Sequence, residues 1–193
     1  MLSLKQPDIS DVQRFLDRQR GFDFTYSAVG ATARQPPPGY AVNHSRRKIG
    51  SGQHLFGLAR LALTEWRQMQ LRWLHSWPTT RRIREGDTIA VLARTAGVWW
   101  LNACRIVYVI DETHPAQRYG YAFGTLPAHL ATGEERFVVE MDDEGDVWFD
   151  VFSFSRPRHI LAKVGYPYVR IVQKRFGRES TAALRRAMNA AVA

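Results

Sequence analysis

With 193 residues, among them 10 Phe, 7 Tyr and 6 Trp, the chain can bury a core unaided, which excludes an intrinsically disordered protein. One cysteine, Cys104, excludes an intrachain disulfide framework and fits a reducing compartment, so the expected location is cytoplasmic. The net charge of +9 comes mostly from arginine, and its clusters at 46–48, 81–84 and 163–186 fit solvated faces better than a nucleic-acid surface.

The opening residues lack the basic start, apolar run and cleavage site of a secretory signal. An apolar set at Ile9, Val12, Phe15 and Leu16 behind Pro7 and Asp8 predicts a short helix, with Ser10 and Gln13 at capping-box spacing. Alternating aromatic and small residues over 22–32 predict a first strand, which the Pro-rich stretch 30–38 ends. Between 52 and 73, Leu55, Ala59, Ala62, Leu63, Trp66, Met69 and Trp73 recur at three and four, the period of a helix with one buried face. Strands are predicted at 87–94, 98–111, 119–126, 134–142 and 147–155, joined mostly by short turns that imply antiparallel neighbours. The stretch 98–110 is the most apolar, but Asn102 and Arg105 break it well short of the roughly 20 residues a membrane span needs. A helix is predicted from 159 to 190, with Leu161, Val164, Tyr168, Ile171 and Val172 as its packing stripe, and with Gly165, Pro167 and Gly177 kinking or splitting it. No linker or repeat divides the chain, so one α+β domain over 1–193 is expected: a curved antiparallel sheet of about six strands around a long C-terminal helix.

Few residues suggest chemistry. The run YGYAFGTL puts Tyr119, Tyr121, Phe123 and Thr125 on one face of a strand and Gly120, Ala122 and Gly124 on the other, so the bare face admits either a closely packed element or a ligand. Alternation along the long strand 98–111 groups Trp100, Asn102, Cys104, Ile106 and Tyr108, and leaves Arg105 among apolar residues, where it needs a partner such as Glu135, Glu140 or Asp150. His129 lies near Glu134 across a turn, and Ser155 with Arg156 precedes Pro157, where Ser155 is expected to cap the last helix. Phosphate-cradling Gly-rich loops, paired CxxC and His-Glu-x-x-His are missing, so no metal and no nucleotide cofactor is expected.

The segments FTYSAVGAT, GVWWLNACRIVYVIDE, YGYAFGTLPAHLATGEERF, VWFDVFSFSRPRH and GYPYVRIVQKRF together resemble a domain-of-unknown-function family of bacterial and plant proteins. More remotely, the order of elements is similar to the helix-grip fold of START-like and Bet v 1-like proteins, which implies a cavity between sheet and C-terminal helix for lipids, hormones or polyketides, with some members acting as cyclases or hydrolases. On that basis a small hydrophobic or amphipathic ligand is the expected partner. Tyr26, Trp100, Arg105, Tyr108, Tyr121, Thr125 and Tyr168 are the expected lining, with Arg105 orienting an anionic or carbonyl group. An enzyme reading would draw its acid and base from His129, Glu135 and Asp150. A basic module for nucleic acid or protein is the third reading.

Overall fold

The computed structural model describes residues 2–78, 82–95, 97–114, 116–158 and 166–191. Its strands are β1 (Leu2–Ser3), β2 (Ala41–Ser51), β3 (Leu74–Trp77), β4 (Thr88–Thr95), β5 (Val98–Glu112), β6 (Gln117–Thr125), β7 (Ala131–Met141) and β8 (Asp146–Pro157). Its helices are α1 (Ile9–Gln19), α2 (Gln53–Thr64) and α3 (Tyr166–Ala190). All strands join one antiparallel, 8-stranded sheet in the order β2-β8-β7-β6-β5-β4-β3, and β1 pairs with β5 where β6 does not reach.

Helix α1 begins where Asp8 accepts from the backbone N–H of Asp11 at 2.8 Å and Asp11 answers by accepting from the N–H of Asp8. The capping box is therefore Asp8 with Asp11, two residues before the expected Ser10 and Gln13, and contributes about 1 kcal/mol. Val12, Phe15 and Leu16 seat the helix on Leu92, Leu101 and Leu126, on the outer face of the sheet.

Three strands, β1, β2 and β3, have no counterpart in the sequence reading. β2 reads AVNHSRRKIGS and is mostly exposed, because it is an edge strand whose polar residues have nothing to bury against. β3 is short and lies at the other edge. Conversely, 22–32 is no strand: it crosses the outer face as a loop, turning at Gly30 (φ 81°) into the short helical turn Ala31–Ala33. Its alternation is real but serves contact, with Phe24 and Tyr26 lying on Gly124 so closely that a Cβ there would stand 2.1 Å from the Tyr26 hydroxyl. The bare stripe on β6 is thus covered by this loop at Gly124, while at Gly120 it meets the β7 backbone at Phe137 and Val138.

Helix α2 stops at Thr64 although the apolar period runs on. Trp66 adopts φ 59°, a left-handed conformation costing about 1 kcal/mol in a bulky residue, and burial of its indole offsets that several-fold. The ring packs 4.8 Å from Tyr121, whose hydroxyl accepts from Gln68. Phe137, Phe149, Phe176 and Leu184 complete a solid centre between the inner face, α2 and α3.

Helix α3 is continuous from Tyr166, so Pro167 falls in its first turn, where a missing N–H costs little. Gly177 does not split it; it faces β2, with Ser45 Cβ 3.6 Å from where a side chain would begin. The expected stripe is rotated: Tyr168 and Ile171 are 49% and 64% exposed, Val172 packs against the core, and Phe176, Ala183, Leu184 and Met188 are buried. Leu161, Val164 and Gly165 lie outside the described residues.

Candidate functional site

Alternation along β8 places Phe149, Val151, Ser153 and Ser155 on the inner face, so that face changes from apolar to polar along one strand. Strand β7 repeats the change, from Val139 and Phe137 to Glu135. In register across the sheet stand Asn43, Ser153, Glu135 and Phe123, from β2, β8, β7 and β6. Helix α3 is tied over this row through Gln173, which accepts from the Asn43 amide at 3.2 Å and donates to the Ser155 hydroxyl at 3.0 Å.

Glu135 is the exception in the row. Its carboxyl has no hydrogen bond or ion pair among the described residues, and desolvation pushes its pKa up to about 8. It is only partly covered, yet protein atoms surround it deeply enough to strip most of its water. Tyr121 on the adjoining β6 and Cys104 on β5 beyond it share the electrostatic environment and both stay protonated, their pKa values raised by burial. A protonated acid facing a polar end of the inner surface can donate a hydrogen bond, and once ionised can hold a cation.

The opposite face carries a different constellation. Glu134 is 3% exposed, and its carboxylate accepts from the Tyr26 hydroxyl at 2.7 Å, the Gly30 N–H at 2.7 Å, the Thr32 N–H at 3.0 Å and the Thr32 hydroxyl. Thr32 also bonds the Tyr108 hydroxyl at 2.7 Å, and its carbonyl accepts from Arg136. Arg136 reaches on to Asp150 at 2.9 Å, and Asp150 meets His44 Nε2 at 2.7 Å. The turn is thereby held through Gly30 and Thr32, which makes this a fastening of loop to sheet.

The expected lining residues do not converge. Tyr26 and Tyr108 belong to the outer fastening; Tyr108 faces outward because β5 bulges between Ile106 and Tyr108. Arg105 is also outside, donating to the Arg20 carbonyl at 2.7 Å and lying over Phe24, so its partner is neither Glu135, Glu140 nor Asp150. Tyr121 is sealed in the solid centre, Thr125 bonds Thr25 and the Gly133 N–H, Trp100 pairs with β1 and β4, and Tyr168 stands exposed on α3. His129, Glu135 and Asp150 are likewise dispersed. His129 accepts from the Ala131 N–H in the turn before β7, away from Glu134, and burial drives its pKa down to about 4. Ser155 binds Gln173 rather than capping α3, and Arg156 lies over Tyr40.

Asn43 escaped notice because its strand did. The break from Phe149 and Val151 to Ser153 and Ser155 on one face of β8 was the available signal for a polar end.

A curved antiparallel sheet holding a long C-terminal helix defines a protein of the helix-grip class. The chain belongs to the UPF0548 family, and residues 25–183 match the family model described as domain of unknown function DUF1990. It is 30% identical over 203 residues to a UPF0548 protein of Arabidopsis thaliana, covering 98% of each chain, and 33% identical over 199 residues to one of Deinococcus radiodurans, covering 97% of this chain and 98% of that one. Among solved structures, a Thermus thermophilus protein superposes with a TM-score of 0.54 at 12% identity, covering 79% of this chain and 100% of that one. Human STARD10 superposes with a TM-score of 0.51 at 10% identity, covering 93% and 80%. None of the described helices is long and apolar enough to cross a membrane.

Proposed function

We propose that this protein binds a small amphipathic molecule at the polar end of the inner face, beneath the first half of α3, with Glu135 as its polar anchor. The supporting observation is the Glu135 carboxyl itself, turned inward without a partner beside Ser153 and Phe123. A protein seldom buries a carboxyl that answers to nothing, since the desolvation costs several kcal/mol. The solid centre around Tyr121 confines the ligand to this end, so the apolar part of the molecule would run toward Phe123 and the helix. Native mass spectrometry of freshly purified protein is expected to show a bound small molecule that Ser153→Trp lacks. An adduct-free spectrum together with no binding of an apolar fluorescent probe overturns this reading.

The raised proton affinity of Glu135 favours a second reading, in which the same carboxyl passes a proton to or from a bound substrate, as cyclase or hydrolase chemistry requires. Its mark is turnover lost in Glu135→Gln with binding retained.

A further inference from the structure

We infer that the group received by Glu135 is cationic, so that the molecule bound is an amphipathic amine or amidine. The inference rests on the ligand-binding reading above and names the chemistry of that site.

Asn43, Ser153, Ser155 and Gln173 are neutral, and no described residue of the row carries a positive charge. The arginines nearest in sequence and register lie elsewhere: Arg105 lies outside against the Arg20 carbonyl, and Arg136 lies outside on the Thr32 carbonyl and Asp150. An anionic head group would therefore meet a carboxyl with no described cation to balance it, although the whole chain is strongly basic.

A neutral acceptor is the other possibility, and the row already serves it. Ser153 can donate to a carbonyl or ether without any carboxyl, and at much lower desolvation cost. What a carboxyl adds is a full negative charge, and the group that uses it is a cation. The ring of Phe123, next in register, offers an ammonium an aromatic surface on the same face. The titratable neighbours do not compete: Cys104 on β5 and Tyr121 on β6 stay neutral, β8 brings Ser153, and α3 brings Gln173.

The test uses three probes of matched chain length, nonylamine, nonanol and nonanoate, titrated calorimetrically into the full chain. The amine is expected to bind at least ~10-fold more tightly than the alcohol or the carboxylate at pH 8.5. It is expected to weaken roughly 10-fold or more at pH 6.5, where Glu135 must first give up its proton, whereas a neutral acceptor would bind better there. Glu135→Gln should erase the amine preference while the alcohol binds as before, and a cooperative thermal melt certifies that the variant is folded. Equal affinity for amine and alcohol, or a preference that survives Glu135→Gln, overturns the cationic ligand and leaves the site standing. Failure of all three probes to bind overturns the site itself.

Discussion

The phenol of Tyr26 donates to Oε2 of Glu134 across 2.7 Å, joining a loop near the start of the chain to a strand 108 residues further on. With the N–H groups of Gly30 and Thr32 on the same carboxylate, one side chain satisfies two backbone donors of the loop's turn. Glu134→Gln keeps the shape but turns a donor toward these donors, and is expected to cost about 2–4 kcal/mol. Urea denaturation checks the magnitude, and faster amide exchange at Gly30 and Thr32 locates the loss.

Gly124 lies under the same loop. A methyl group there would stand 2.1 Å from the Tyr26 hydroxyl and 2.9 Å from the Phe24 ring, so Gly124→Ala must displace two aromatic residues. A loss of about 2 kcal/mol is expected, read as a lower urea midpoint with unchanged slope. Bulky replacements at this position therefore test the fold, and ligand binding has to be probed from Ser153 and Glu135.

Gly177 gives the opposite sign. It sits inside α3 with ordinary van der Waals room toward Ser45, so Gly177→Ala removes backbone freedom from the unfolded chain without a clash. Stabilisation of about 0.5–1 kcal/mol is expected, seen as a raised melting temperature.

Stability should vary with pH through two groups shifted in opposite senses. Glu135 has a pKa of about 8 in the folded protein against 4.5 as a free side chain, so the folded state holds a proton that the unfolded state has lost, and stability falls as pH rises between those values. His129, at about 4 against 6.5, stays neutral when folded and charges when unfolded, so stability falls as pH drops through its window. The two cancel between 4.5 and 6.5, and from pH 6.5 to 8 Glu135 acts alone of the pair, costing about 2 kcal/mol. Glu135→Gln should remove that decline, as denaturation at pH 6.5 and pH 8 would register.

The strands from β4 to β8 were legible because each packs at least one face, and burial writes its alternation into the sequence. β2 was illegible for the converse reason: Asn43, His44, Arg46 and Arg47 hydrogen-bond as a strand yet bury little. The loop at 22–32 misled because Phe24 and Tyr26 alternate to reach a neighbouring surface, which period alone does not distinguish from pairing. At the candidate site, Glu135 was visible as a candidate acid but was set beside His129 and Asp150, which face elsewhere. Register between distant strands decided the matter, and a bulge or an edge strand fixes register without a local signature.

The bulge at Val107 shows how much can ride on one backbone unit. Upstream of it, β5 sends Cys104 and Ile106 into the central core; downstream, it turns Tyr108 toward Thr32 and leaves Asp111 within 2.7 Å of Arg60 on α2. Deleting Val107 would reverse the sidedness of everything beyond it, detaching the outer loop and the helix contact in a single event. The chain's tolerance for insertions or deletions should therefore collapse at this point, although the residue itself makes no bond to either partner.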